Sequence, residues 1–275
     1  MAGTLYVVAT PLGNLGDLSP RAADTLKRVA VVAAEDTRHS KPLLHHAGSH
    51  AELISFHEHS SDRALERILR ILAEGRDVAF ITDAGTPVIS DPGVELVAAA
   101  RERGIPIVTI PGPTAVAASL SVSGIGGDRY LFLGFLPRKG SDRRRLLLTA
   151  ASSEWTVVIF EAPNRVTQLL ADLIEVCGPE RQAAVSRELT KVFEETRAGT
   201  LQELSEHYAE APVRGEVTVV LSGTGKEHVE ERPPDPGERA KALLAEGLSR
   251  KDVAHRLAEE TGISRNTAYR LVSEL

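Results

Sequence analysis

Three loops rich in Gly, Pro and small hydroxyl residues follow predicted strands, and they are the first places where chemistry could occur. Their sequences are TPLGN (10–14), DAGTPVISDPG (83–93) and PGPTA (111–115). In an open α/β sheet, ligands bind beyond the carboxyl ends of the strands, where residues without large side chains let the backbone approach closely. The residue types of each loop, taken by itself, are also those of an ordinary turn. Three such loops at one sheet edge predict a binding site for a cofactor.

The loops lack the usual signatures of nucleotide-binding sites. The pattern G-x-G-x-x-G is absent after the first predicted strand, and G-x-x-x-x-G-K-[ST] is absent from the whole chain. Asp36 does follow Gly13 at about the spacing of a ribose-binding acid, but this spacing is found by chance in many chains. The patterns favour a ligand other than a dinucleotide.

Charged residues follow the second predicted strand, where a carboxylate can take a proton from a substrate. Glu35, Asp36 and Arg38 are the candidates for the cleft. Asp36 can equally cap the following helix, with Arg38 as its ion-pair partner. The segment SRELTK (186–191) leaves the same choice open, between groups that face a cleft and a paired charge network on the surface.

Two further clusters suggest binding. A basic run places Arg138, Lys139, Arg143, Arg144 and Arg145 within eight residues against one acid, and it is typical either of a phosphate contact or of a solvated helix start. Six of the nine histidines lie between residues 39 and 59. His57 and His59 project to the same side of a strand, but no third ligand is evident, so we predict no metal site.

The elements that position these residues fall into two patterns. Over residues 1–120, short β-branched runs alternate with helical patterns, which predicts a doubly wound α/β domain. Its buried parallel strands are predicted over 5–9, 29–35, 52–56, 77–82 and 105–110. A first helix begins at Ser19-Pro20, and further helices are predicted over 63–75 and 93–104, the last capped by Gly104.

Residues 121–223 contain more strands for each helix. Strands are predicted over 129–136, 156–162, 183–189, 193–199 and 216–223, with only two clear helices among them. This spacing predicts a mixed or antiparallel sheet in a second, α+β domain. The Gly- and Ser-rich stretch 121–128 is the expected hinge between the two domains.

The remaining chain is predicted to be a linker, 224–236, followed by a helical tail, 237–275. Ser249 with Asp252, and then Ser264, mark helix starts. The tail resembles a helix-turn-helix, for which the expected core positions are Ala254, Leu257, Gly262, Ile263 and Leu271. It carries seven acids and seven Lys or Arg over 235–275, so it has no excess of positive charge. An RNA-docking accessory and a simple packing module both remain open.

Composition narrows the class of protein. The net charge of −6 argues against a protein coated with positive charge for non-specific nucleic-acid binding, although a local basic run can still bind RNA. Cys177 is the only cysteine, which excludes an internal disulfide and a cysteine-based metal site. The sequence shows no signal peptide and no apolar run of membrane-spanning length. We therefore expect a cytoplasmic protein without a membrane partner.

Eight motifs occur in a fixed order over residues 5–200 and together resemble one family. They are LYVVATPLGNLGDLSPRAADTLKRV, AAEDTRHSKPLL, ISFHEHS, ITDAGTPVISDPGVELV, PGPTA, LGFLPRKG, FEAPNR and SRELTKVFEETRAGT. The series is similar to the small-subunit ribosomal RNA methyltransferase I family of the tetrapyrrole-methylase-like superfamily. AAEDTR with the DAGTP loop is highly specific to that family, whereas PGPTA alone fits the broader superfamily.

The resemblance implies a two-lobed α/β fold that works as a homodimer and binds S-adenosylmethionine between its lobes. It implies 2′-O-methylation of a decoding-centre cytidine in 16S rRNA, either as naked RNA or within the 30S subunit. The cofactor-binding residues implied by motif match are Pro11, Gly13, Asp83, Ala84, Gly85, Thr86, Ile89, Ser90, Thr114, Ala115, Phe160, Glu161 and Ala162. We expect catalysis from Asp36, Glu35 or Lys191, and RNA contacts from Arg38, His57, Arg138, Lys139, Arg143, Arg144 and Arg145.

One position departs from the family pattern. The family has EAPHR where this chain has Asn164, which argues against a catalytic imidazole there.

A methylase of the same fold could act instead on a tetrapyrrole or a protein side chain, but the basic run and AAEDTR argue against this function. A DNA-binding ligand sensor is disfavoured by the balanced charge of the tail, so we expect no DNA partner.

Overall fold

The computed structural model describes residues 2–57, 62–210, 213–224, 236–246, 248–261 and 264–273. The chain forms two compact units, residues 1–224 and residues 225–275. The first unit contains two five-stranded sheets, each at the centre of one lobe. No helix in the described part of the chain is long and apolar enough to cross a membrane.

The first lobe is built on a parallel sheet. Its strands are β1 (Leu5–Val8), β2 (Val31–Ala34), β3 (Glu52–Ser55), β4 (Val78–Ile81) and β5 (Ile107–Ile110). They lie in the order β3-β2-β4-β1-β5, and all pairs are parallel. All five predicted strands are confirmed. The expectation that all are buried is wrong for β3 and β5, because these edge strands have exposed residues.

Helices cover both faces of this sheet. They are α1 (Pro20–Arg28), α2 (Thr37–His46), α3 (Asp62–Ala73) and α4 (Val94–Glu102). Val31 and Ala33 of β2 pack with residues of α3 and α4, whereas Val32 and Ala34 pack with α1 and α2. Successive side chains of a strand point to opposite faces, so two apolar layers form. The doubly wound arrangement is confirmed.

The second lobe is built on a mixed sheet. Its strands are β6 (Tyr130–Phe135), β7 (Thr156–Glu161), β8 (Gln182–Arg187), β9 (Glu195–Thr200) and β10 (Val217–Leu221). They lie in the order β6-β7-β10-β8-β9; β6 and β7 are parallel, and the other pairs are antiparallel. The predicted mixed sheet is confirmed.

The helices of this part are α5 (Ala115–Ser123), α6 (Ser141–Ser152), α7 (Val166–Cys177) and α8 (Leu201–Ala209). The last three pack on one face of the second sheet through Leu147, Leu169 and Leu204. The expectation of only two clear helices is therefore wrong, because α8 is a third. It begins at a capping box formed by Thr200 and Glu203.

The predicted boundary after residue 120 falls inside α5. This helix runs to Ser123, ends where Gly124 has φ +70°, and packs against β8, β9 and β10 of the second sheet. The hydroxyl groups of Ser121 and Ser123 donate to the carbonyls of Ala118 and Leu120, so both serines are hydrogen-bonded within the helix. The lobes are therefore joined before α5 rather than by residues 121–128.

The C-terminal unit contains α9 (Pro236–Ala245), α10 (Arg250–Thr261) and α11 (Arg265–Ser273). Ser249 and Ser264 accept hydrogen bonds from the N–H groups of Asp252 and Thr267, as predicted. Ala254 and Leu257 are in its core, but Leu271 is half-buried, and Ala268 and Val272 fill that side instead. Gly262, Ile263 and most of the predicted linker lie outside the described residues.

Candidate active site

The three Gly- and Pro-rich loops meet at the carboxyl ends of β1, β4 and β5. Thr10 and Gly85 exchange two backbone hydrogen bonds, of 2.8 and 3.1 Å, which join the first loop to the second. The Thr86 hydroxyl donates to the carbonyl of Pro113 at 3.1 Å and joins the second loop to the third. The loops therefore form one connected surface, not three independent turns.

This surface forms one wall of a cleft of about 350 Å³ between the two lobes. Eleven of the thirteen predicted cofactor-binding residues line the cleft: Asp83, Ala84, Gly85, Thr86, Ile89, Ser90, Thr114, Ala115, Phe160, Glu161 and Ala162. Pro11 is buried, and its neighbour Leu12 lines the cleft in its place. Gly13 lies instead against the side chain of Lys191, where a Cβ would overlap the lysine stem.

Eight residues of the cleft lining were not predicted from the sequence. Leu12 and Asp91 belong to the first wall, and the opposite wall adds Phe135, Pro163, Gly215, Glu216, Val217 and Thr218. Gly215 and Glu216 precede β10, and Val217 and Thr218 begin it; β10 pairs with β7 so that Val217 lies opposite Glu161. Nothing in residues 215–218 has the composition of a binding loop, so only their pairing with β7 reveals them. Asp91 was part of a quoted motif and was detectable from the sequence.

The cleft is acidic. Five acidic residues line it, Glu35, Asp83, Asp91, Glu161 and Glu216, and within the described ranges no Lys, Arg or His does so. Burial raises the pKa of the Glu35 carboxyl group, although the Asp83 N–H approaches it at 3.4 Å. Burial also raises the pKa of Asp91 to about 6, and the Thr82 hydroxyl donates to it at 3.0 Å. Such a lining favours a positively charged ligand over a phosphate group.

Asp36 is occupied at the start of α2. Its carboxylate accepts the N–H of Arg38 at 2.8 Å and pairs with the Arg38 guanidinium at 2.7 Å. These hydrogen bonds hold the pKa of Asp36 well below its usual range. Asp36 is not among the residues that line the cleft. The capping alternative describes its geometry, and a weakly basic carboxylate outside the cleft is a poor proton acceptor.

Lys191 also lies beside the cleft rather than in it. Its ammonium group is 3.0 Å from Glu188 Oε1 and 3.2 Å from Glu216 Oε2. Desolvation lowers the pKa of Lys191, but the hydrogen bond to Glu188 and the charge of Glu216 outweigh this effect, so the pKa is raised. The amine therefore stays protonated at neutral pH, which argues against Lys191 as a general base.

Glu161 lines the cleft, but its carboxylate is turned away from solvent. The side chain is fully buried, Oε1 is 3.2 Å from Arg165 Nε, and Oε2 is 3.9 Å from a guanidinium nitrogen of Arg143. Arg143 and Arg165 also donate to the carbonyls of Pro137 and Leu136, respectively. The charge of Glu161 is therefore held inside the second lobe, and it is the backbone of this segment that faces the cleft.

The basic run divides into exposed and buried members. Arg138, Lys139, Arg144 and Arg145 are exposed and can reach a partner, although Arg145 pairs with Asp142. The expectation that Arg143 contacts RNA is wrong, because its side chain is 8% exposed and binds Asp172. Arg38 is 86% exposed, and His57 is exposed just beyond β3, whereas His59 lies outside the described residues. Asn164 is exposed and does not line the cleft.

The chain is similar to one family over most of its length. Residues 4–205 match the family model described as Tetrapyrrole (Corrin/Porphyrin) Methylases. Solved structures share the fold. Cobalt precorrin-4 methyltransferase has a TM-score of 0.63 and 17% identity, and the match covers 80% of this chain and 94% of that chain. Uroporphyrin-III C-methyltransferase from Thermus thermophilus, complexed with S-adenosylhomocysteine, has a TM-score of 0.59 and 20% identity, with 80% and 97% covered.

Curated relatives are more similar. Ribosomal RNA small subunit methyltransferase I of Synechocystis sp. is 43% identical over 277 residues, which cover 99% of this chain and 98% of the relative. The protein of the same name from Pseudomonas aeruginosa is 44% identical, with 98% and 96% covered. That from Xylella fastidiosa is 44% identical, with 97% and 98% covered. The chain therefore belongs to the tetrapyrrole methylase family and, within it, to the ribosomal RNA small subunit methyltransferase I proteins.

Proposed function

We propose that this protein transfers a methyl group from S-adenosylmethionine to the ribose 2′-hydroxyl of a decoding-centre cytidine in 16S rRNA, in the cytoplasm. The observation that carries this proposal is the identity of 43–44% to rRNA small subunit methyltransferases over nearly the whole of both chains. The solved tetrapyrrole methylases are 17–20% identical, so they support the fold and not a tetrapyrrole substrate.

The residues of the cleft fit this cofactor. A volume of about 350 Å³ is within the range of small-molecule sites, and Ala84, Gly85 and Ala115 leave the backbone accessible. The acidic residues Glu35, Asp83, Asp91 and Glu216 suit a ligand whose sulfonium and ammonium groups are both positive. The aromatic rings of Phe135 and Phe160, whose centroids are 5.5 Å apart, supply an apolar surface at the second-lobe wall.

In the proposed reaction, the protein acts mainly by positioning. When bound, S-adenosylmethionine supplies an electrophilic methyl group. The cleft orients the ribose hydroxyl for in-line attack, and this alignment accounts for a large part of the acceleration in such reactions. We assign proton acceptance to Glu35, because it is the one predicted catalytic residue that lines the cleft and because burial raises its pKa.

The RNA partner is proposed to bind the exposed basic side chains outside the acidic cleft. Arg138, Lys139, Arg144 and Arg145 precede or begin α6, and Arg38 and His57 lie near the ends of β2 and β3. In this proposal, phosphates bind the exposed cations and the cofactor binds beside the carboxylates of the cleft. A homodimer without a DNA partner remains part of the proposal.

The test is methyl transfer from labelled S-adenosylmethionine to 30S subunits of a strain that lacks this protein. Nuclease digestion and mass spectrometry then identify the modified nucleoside and its position. We expect one 2′-O-methylcytidine in 16S rRNA. Methyl groups on a base, or on ribosomal protein only, would overturn the ribose assignment. Naked 16S rRNA serves as the parallel substrate.

A further inference from the structure

The loop between β8 and β9 carries two apolar side chains, Val192 and Phe193, that pack against little of the protein. These two residues form the tip of the loop. Val192 is 92% exposed and Phe193 is 72% exposed. Among the large apolar side chains that the structure describes, the next most exposed is Val94, at 59%. Exposed apolar groups concentrated at one point are typical of an interaction site.

The backbone of this loop is held in one conformation. Glu188 has φ +52° and Thr190 has φ +67°, in the left-handed region that residues with a side chain rarely adopt. The Lys191 N–H donates to the Glu188 carbonyl at 2.9 Å, and the Thr190 N–H donates to Glu194 Oε2 at 2.6 Å. Unfavourable backbone angles that are fixed by surrounding bonds occur preferentially at functional sites.

The same loop is attached to the rim of the cleft. The Lys191 stem lies against Gly13 of the first lobe, and its ammonium group binds Glu216. Gly215 has no room for a side chain, because a Cβ would overlap Glu188 Oε1. Gly215 and Glu216 both line the cleft. Phe193 is therefore two residues from a side chain that contacts both lobes at the cleft.

The charges near this tip are already engaged within the protein. Glu188 binds Lys191, Glu194 accepts the N–H of Thr190, and Glu195 binds Arg187. The tip itself therefore offers an apolar contact and not an ionic one. An uncharged planar ring suits such a contact better than a phosphate group.

We propose that Phe193 stacks on a nucleobase of the RNA substrate, with Val192 beside it. This inference rests on the proposed function, because a ribose hydroxyl can enter the cleft only if its nucleotide leaves the surrounding stack. An aromatic ring on the loop attached to the rim would replace some of the stacking that is lost. One base covers one aromatic ring, which matches the single exposed ring at this point of the loop.

The test compares substitutions of Phe193 in the full-length protein, with single-turnover methylation of 30S subunits as the assay. Phe193→Ala should raise the subunit concentration for half-maximal rate by about 5- to 100-fold, the typical effect of losing one base–aromatic stack. Phe193→Leu should lose about as much, because it keeps apolar area without a π-face, whereas Phe193→Trp should retain affinity. Trp155→Ala removes another exposed aromatic ring and is the matched control.

Two further measurements make the outcomes distinct. The dissociation constant for S-adenosylmethionine, measured by calorimetry, should be the same in all Phe193 variants. Full affinity for subunits in Phe193→Leu would overturn stacking, and a changed oligomeric state in Phe193→Ala would assign the tip to contact between copies of the chain. If the parent protein itself does not methylate 30S subunits, the proposed function fails instead. A direct subunit-binding assay on the same variants then decides the stacking inference separately.

Discussion

The guanidinium group of Arg143 binds the carboxylate of Asp172 on α7, with Nε 2.8 Å from Oδ2, although Arg143 lies in the most basic segment of the chain. Its neighbour Arg144 is exposed. Successive residues of a helix point about 100° apart, so one arginine of this segment is turned into the second lobe and the next toward solvent. The two side chains have the same chemistry and different roles.

We predict opposite effects for these two arginines. Arg143→Ala should lower the free energy of unfolding by about 3–5 kcal/mol, because it leaves Asp172 and Glu161 without their buried partner. Arg144→Ala should change it by less than about 0.5 kcal/mol. Urea denaturation measures both. Equal stability of the two variants would contradict the buried network.

RNA binding should show the reverse order. Arg144→Ala should weaken binding to 30S subunits and reduce the slope of log affinity against log salt by about 1, because one counterion fewer is released. The affinity for S-adenosylmethionine should not change. An unaltered salt slope would remove Arg144 from the phosphate contacts.

Cofactor binding should depend on Gly85. This residue has φ +82°, and a Cβ there would lie 3.3 Å from Leu12 Cδ2, which also lines the cleft. We expect Gly85→Val to abolish S-adenosylmethionine binding in calorimetry while the protein remains folded. Gly104→Ala is the matched control, because Gly104 has φ +65° and open space around it. Retained binding in folded Gly85→Val would contradict the cofactor assignment.

We predict different effects on catalysis for substitutions of the adjacent residues Glu35 and Asp36. Glu35→Gln should slow single-turnover methylation by about 10²-fold or more, the usual range for a lost general base. Asp36→Asn should methylate at nearly the parent rate, because its carboxylate caps α2 and lies outside the cleft. Both rates are measured at saturating subunit and cofactor concentrations. A slow Asp36→Asn with a fast Glu35→Gln would reverse the assignment.

Asp91 should give a pH dependence of stability. Its pKa rises from 3.8 to about 6 on folding, so the protonated form is favoured in the native state. The resulting stabilisation is complete below pH 4 and is lost as the pH rises through 6. Asp91→Asn cannot ionise, so its stability relative to the parent should increase between pH 4 and pH 7. Denaturant titrations without cofactor at these two pH values measure this difference, and a constant difference would contradict it.

Strands and cofactor loops were predictable from sequence because their determinants are local. Local sequence patterns predicted all ten strands, and the composition of the DAGTP and PGPTA loops marked one wall of the cleft. The Thr10–Gly85 bridge that joins two loops has no sequence pattern of its own. It was implied only by the expectation that the loops share one sheet edge.

The missed features depend on the tertiary structure. The inward orientation of Arg143 is set by Asp172, which is 29 residues away on α7. The second wall around Gly215 is set by the pairing of β10 with β7. The serines of α5 suggested a hinge because their local hydrogen bonds to helix carbonyls cannot be seen in composition. Residues with clear local preferences were placed correctly, and those whose role depends on a distant partner were not.

The position of β10 has a consequence for how the chain is synthesised. β10 is the last strand in sequence, yet it lies in the middle of the second sheet, between β7 and β8. A growing chain that has emerged only as far as β9 therefore has two strands with unpaired edges and lacks the cleft wall at residues 215–218. Long-range pairing of this kind is slow to form. The nascent protein consequently acquires a complete cleft only after nearly all of its first unit has left the ribosome that makes it.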